Sequence, residues 1–202
     1  MTITELSGTG FLALPEPTTE VKQLYDESTA KDGFVMNLSR LWAHQPELQR
    51  GLFGLMGSAV HTAGLTPRQR AVLVVACASE FGDSYCALAW GNKLTREATP
   101  DVAAGVVRGD DDGLDPTERV LARWARKVAR EPSGTDAADL QPLRDAGFDD
   151  TQIFAITTFV AFRLAFAIVN DSLGVLPDAE LYERASVPLR DAVDFGRPVA
   201  HV

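Results

Sequence analysis

From Thr19 onward, apolar positions recur with the period of a helix, and the periodic units are parted by Gly and Pro rather than by long polar stretches. Val21, Leu24 and Tyr25 mark a helix over Thr19 to Lys31 that Gly33 ends. Leu38, Leu41 and Trp42 give a second over Val35 to His44, and Pro46 suits the first turn of a third that runs to about Ala63. Thr66-Pro67-Arg68-Gln69 is a capping box, and the run Ala71 to Ala78 behind it is apolar on every side, which predicts a deeply buried helix. Gly82 stops that helix, Asp83 caps the next, and this one continues to about Arg96. Thr99-Pro100 opens a short helix ended by Gly109, and Asp115-Pro116-Thr117-Glu118 starts another with Val120, Leu121, Trp124 and Val128 as its stripe. Thr135 to Ala146 reads as an amphipathic helix. Asp149 to Gln152 caps a long one that Gly174 ends, and Pro177 starts a last short one. No strand pattern emerges, so the fold class is all-α: a single-domain helical bundle over residues 18–194, with an extended N-terminal arm over 1–17 and a loose tail over 195–202.

Composition narrows the partners. The chain has 202 residues, enough for one domain with a sizeable core, and carries Lys+Arg 19 against Asp+Glu 28, a net charge of -9. That acidity disfavours nucleic acid and anionic membranes, which are themselves polyanions. The apolar stretch from Ile153 to Val169 is interrupted by Arg163 and reads as a core helix rather than a membrane span. Met1 to Glu5 lacks the basic-then-apolar pattern of a signal peptide, and Cys77 and Cys86 make no disulfide framework, so the cytoplasm is the expected compartment. No His, Cys or carboxylate set has metal-ligand spacing, and no glycine-rich phosphate loop or nicotinamide fingerprint is present, so neither metal nor cofactor is expected.

The chemistry concentrates in Glu80 to Trp90, Glu-Phe-Gly-Asp-Ser-Tyr-Cys-Ala-Leu-Ala-Trp. Cys86 falls in the first turn of a helix, where the dipole and the free N–H groups favour a thiolate, while the N-cap Asp83 opposes it. Tyr85 can donate a hydrogen bond to an anion, Glu80 supplies a carboxylate, and Lys93 lies two turns along the same helix as Cys86. Arg163, alone in an apolar helix, needs a partner. It serves either as a hook for an anion near Cys86 or as one half of a structural pair with Glu80 or Asp83. Cys86 itself is read both as a working thiol and as a small buried hydrophobe, Cys77 as core, and Trp90 as packing.

Three segments resemble the carboxymuconolactone decarboxylase superfamily in its AhpD-like, peroxidase-related branch. They are Gly33 to Leu38 with Ala43 to Glu47, Leu65 to Arg70 followed by an Ala-rich helix and Tyr85-Cys86, and Phe162 to Asp178 with Asn170 to Val175. The resemblance implies an AhpD-like bundle that assembles as a homo-oligomer, from dimer to hexamer. It also implies thiol-dependent peroxidase chemistry, which in the family uses a Glu and a Cys-x-x-Cys-x-x-x-His run. Here the first Cys position holds Asp83, the second holds Cys86, the His position holds Trp90, and the Glu falls close to Arg70 or Ala71. Cys86, Glu80 and Tyr85 are therefore the catalytic candidates, and Asp83, Trp90, Lys93 and Arg163 the pocket candidates for a small-molecule substrate. Two rival functions remain beside the peroxidase-like oxidoreductase. One is a non-redox lyase or isomerase acting on a small carboxylate; the other is a non-catalytic binding or scaffold oligomer.

Overall fold

A computed structural model describes residues 10–200, and among them every regular element is helical. The order is α1 (Thr19–Asp32), α2 (Asn37–Trp42), α3 (Pro46–Ala63), α4 (Pro67–Phe81), α5 (Ser84–Glu97), α6 (Pro100–Arg108), α7 (Pro116–Arg130), α8 (Gln141–Asp145), α9 (Asp150–Ser172), α10 (Ala179–Arg184) and α11 (Val187–Ala192). The capping boxes form where local chemistry places them. Thr66 accepts from Gln69 N, Asp115 from Glu118 N and Asp149 from Gln152 N, and each N3 side chain returns a bond to its cap. Glycines in the left-handed conformation, Gly33, Gly64, Gly82 and Gly109, end α1, α3, α4 and α6.

Helix α4 is the hub. Residues Ala71 to Ala78 are all buried, because α4 is walled by α5, α6, α7 and α9 at once. Its apolar character on every side is the sequence counterpart of that position. Helix α9 runs antiparallel along α3. Gln152 reaches the Ala63 carbonyl at one end, and Trp42 Nε1 donates to Asn170 Oδ1 at the other. It is apolar and long enough to cross a membrane by length and composition, yet Ile153, Ile156, Phe159, Val160 and Phe166 lie in the core. One further constraint joins α4 to α7: Arg68 grips buried Glu118 with two hydrogen bonds, of 2.7 and 3.0 Å.

Three expectations change. The segment 135–146 is a 3-10 turn, Ala138–Leu140, followed only by the short α8. Asp136 takes the N–H groups of Ala138 and Asp139, and Pro142 has no N–H to continue a longer helix. The last helix is two, α10 and α11, parted by Ala185 in extended conformation and restarted by the Ser186 cap. The tail is docked as far as Ala200: Ser84 Oγ donates to the Arg197 carbonyl at 2.8 Å, Arg197 to the Asp171 carbonyl, and Ala200 N to the Pro177 carbonyl at 2.8 Å. From Gly10 to Pro17 the chain forms neither helix nor strand, and Phe11 N donates to the Leu173 carbonyl at 2.8 Å; the remainder of the expected arm, 1–9, and the tail residues 201–202 lie outside the described residues.

Candidate functional site

The helix α4, the Gly82 turn and α5 together decide where Cys86 goes. Gly82 adopts φ 86, which lets the chain leave α4 and reverse at once into α5. Asp83 caps α5 by accepting Cys86 N–H at 2.9 Å. This fixes the thiol in the first turn, facing α9, where Arg163 Nη2 lies 2.9 Å from Cys86 Sγ. Cys86 lines a half-enclosed cavity of about 930 Å³, together with Met36, Tyr85, Trp90, Lys93 and Arg163. That volume suits a small organic molecule.

The electrostatics at the sulfur are opposed. Burial pushes the Cys86 thiol well above its ordinary value, the Asp83 carboxylate pushes the same way, and Arg163 pulls it down. Asp83 is wholly buried, its Oδ2 has no hydrogen-bond partner, and burial raises its own pKa against the Cys86 hydrogen bonds and Arg163. An Asp, a Cys and an Arg thus share one desolvated space, with the sulfur between a carboxylate and a guanidinium. Tyr85 is also committed: its hydroxyl donates to Asp178 Oδ2, which in turn takes Asn37 N–H at 2.8 Å on its other oxygen. Burial lifts Asp178 to about 6, with the Tyr85 and Asn37 bonds opposing. The network ties α5 to α2 and to the start of α10.

Over the cavity, Trp90 presents its ring to three cations from three helices. Arg70 Cζ is 4.9 Å, Lys93 Nζ 4.0 Å and Arg163 Cζ 5.4 Å from its centroid. Burial lowers Lys93 to about 8, with Lys31, Arg163 and Arg70 adding to the effect and Asp32 opposing it.

Solved structures with this arrangement of helices exist. An uncharacterized peroxidase-related protein from Ralstonia eutropha JMP134, described as an alkylhydroperoxidase AhpD core, superposes with a TM-score of 0.77 at 27% identity, covering 86% of this chain and 95% of that one. The chain has the AhpD-like, carboxymuconolactone decarboxylase-type fold. A second neighbour, an uncharacterized peroxidase-related protein from Silicibacter sp. TM1040, gives a TM-score of 0.75 at 22% identity over 90% of this chain and 98% of that one. The debrominase Bmp8 shares the fold at a TM-score of 0.71 and 14% identity, over 91% of this chain and 98% of its own. A cysteine-to-alanine form of Bmp8 in complex with 2,3,4-tribromopyrrole also superposes, at a TM-score of 0.67. No family model matches the sequence, and no curated protein matches it.

Within this AhpD-like frame, Cys86, Tyr85, Trp90, Lys93 and Arg163 meet at one cavity, and Asp83 stands directly behind the thiol. Glu80 does not join them. It points away and forms a two-pronged ion pair with Arg130 on α7, at 2.6 and 2.9 Å, because it sits at the far end of α4. Arg163 has neither of the carboxylate partners considered for it; its near neighbour is the sulfur. Cys77 is core, off the cavity, with burial pushing its thiol up to about 12. Sequence reasoning missed Arg70 as a pocket residue, although a charge directly before the apolar run Ala71 to Ala78 was a visible signal. It also missed Asp178 and Asn37, whose roles depend on contacts across the chain.

Proposed function

We propose that this protein is a thiol-dependent oxidoreductase of the peroxidase-related kind, in which Cys86 reduces a small organic peroxide held in the cavity. The observation that carries the reading is the Cys86 sulfur on the cavity wall with the Arg163 guanidinium 2.9 Å away. The thiolate attacks one oxygen of the peroxide bond. A sulfur–oxygen bond forms, the oxygen–oxygen bond breaks, and the leaving alkoxide takes a proton and departs as the alcohol. Cys86 is oxidised by two electrons to the sulfenic acid. Arg163 stabilises the thiolate before attack. Cys77, buried off the cavity, does not resolve the sulfenic acid. An external thiol therefore does: one thiol forms a mixed disulfide and releases water, and a second frees Cys86 and leaves as the disulfide.

The test is intact-mass spectrometry after brief exposure to an organic hydroperoxide, with peptide mapping. The expected result is a gain of one oxygen at Cys86, absent in Cys86→Ser and reversed by added thiol. A thiol that stays unmodified until the protein unfolds overturns the reading. A non-redox alternative draws on a separate observation, the upward push on the Cys86 thiol from burial and Asp83, which disfavours the thiolate. The debrominase on the same fold supports the view that this architecture is not tied to peroxides.

We also propose that copies of the chain associate through the outward faces of α3 and α9. Leu48 and Leu55 on α3 and Phe154 and Ile168 on α9 are exposed, Phe154 at 72%. Gly51, Gly54 and Gly57 lie on α3 with open space where a Cβ would point. Each glycine costs its helix roughly 0.5–1 kcal/mol with no packing need in the single chain. Close approach of a second copy supplies one.

A further inference from the structure

We infer that Arg70, Lys93 and Arg163 form an anion subsite over Trp90, so that the cavity selects peroxides carrying a carboxylate remote from the reacting oxygens. The inference rests on the thiol reading above and adds the substrate class to it. In a chain of net charge -9, this cavity is lined by seven Lys and Arg side chains against three carboxylates, Glu27, Asp32 and Glu97. One of those three is already engaged, since Arg50 lies 3.8 Å from Glu27. Among the described residues, none of Arg70, Lys93 and Arg163 has a carboxylate within ion-pair distance. The Nε atoms of Arg70 and Arg163 are buried with no hydrogen-bond partner, and Arg163 is only 7% exposed.

An aromatic face attracts a cation, and such a contact is worth about 0.5–2 kcal/mol. It does not offset the mutual repulsion of three partly desolvated charges. The repulsion acts on the groups themselves: burial and Arg163 lower Arg70, while burial, Lys31, Arg163 and Arg70 lower Lys93, against Asp32. A ligand carboxylate supplies the missing opposite charge. Arg163 then faces the sulfur on one side and the anion on the other. Arg70 and Lys93, which do not touch the sulfur, act on specificity alone. A charge held over Trp90 leaves the other end of the ligand to reach Cys86, so the reactive bond and the carboxylate belong at opposite ends of the molecule.

The test pairs cumene hydroperoxide with its para-carboxylate at neutral pH, in reductive turnover. A parallel measurement uses the corresponding alcohols in calorimetric binding to the resting protein. The carboxylated compound is expected to exceed its neutral twin by about tenfold or more in kcat/KM and in affinity, as a charge-assisted hydrogen bond is worth more than 1.4 kcal/mol. Arg70→Met and Lys93→Met should each reduce that ratio several-fold, while Lys93→Arg keeps it, which separates charge from folding. Equal turnover and equal binding of the two compounds overturn the anion subsite while leaving the thiol reading in place. Preferential binding of the carboxylate with no reduction of either peroxide supports the subsite and overturns the thiol reading on which its substrate class rests.

Discussion

At Cys86 two fields compete, and position in the helix does not decide the outcome. The first turn of α5 offers a favourable dipole, which by itself worth about 0.3–1 kcal/mol would lower a thiol pKa. Complete burial and the Asp83 carboxylate act the other way and win, with only Arg163 opposing them. An acid whose neutral form is favoured gives up its proton at higher pH, so Cys86 is expected to be slow toward iodoacetamide at neutral pH. Its rate should climb through the alkaline range, past the point where an ordinary thiol levels off. Arg163→Met removes the one nearby charge that favours the thiolate and should move the rise in rate to still higher pH. Peptide mapping of the alkylated protein follows Cys86 separately from Cys77. A Cys86 rate already at its plateau at neutral pH would contradict the dominance of burial.

Helix boundaries in this chain follow local chemistry wherever that chemistry is complete. The three capping boxes each lie within four consecutive residues, and all three form as the sequence suggests. Where a boundary depends on another element, the pattern misleads. The stretch from Thr135 has helical periodicity, yet Asp136 and Pro142 divert it into turns. The contact between α5 and α11 is of the second kind. Gly91 looks like a weak point in α5, but a Cβ there would meet Leu189 Cδ1 at 2.6 Å, and Leu189 is fully buried. Gly91→Ala in an open helix would stabilise by roughly 0.5–1 kcal/mol. Here overpacking outweighs that, and a net loss of about 1 kcal/mol is expected in urea unfolding. A more stable variant would show that α11 can yield.

The molecule as a whole gathers one side of several helices into a basic cavity and leaves another side of α3 and α9 apolar and exposed. The proposed association through that second surface has a direct test. Sedimentation equilibrium of the native chain at micromolar concentration should give an oligomer, and Leu55→Glu combined with Phe154→Glu should shift it toward monomer. Both positions are exposed, so the folded core should survive, which circular dichroism checks. A native chain that sediments as a monomer removes the proposal. The docked tail belongs to this scale too. Arg197 and Ala200 bind backbone at Asp171 and Pro177, sites that become available only once α9 and the segment before α10 have packed.

The helices, their caps and the burial of α4 were legible because they depend on neighbours three or four positions apart and on apolar periodicity, both of which are written locally. The grouping of Tyr85, Trp90 and Lys93 near Cys86 followed from the same rule, since all lie on one helix. Tertiary structure alone decided the partners. Arg163 reaches Cys86 from 77 residues away, and Tyr85 finds Asp178 across 93. It also sent Glu80 outward to Arg130 and brought Arg70 inward over Trp90. Such pairings depend on how helix axes cross and which faces meet, and no short stretch of sequence specifies a crossing.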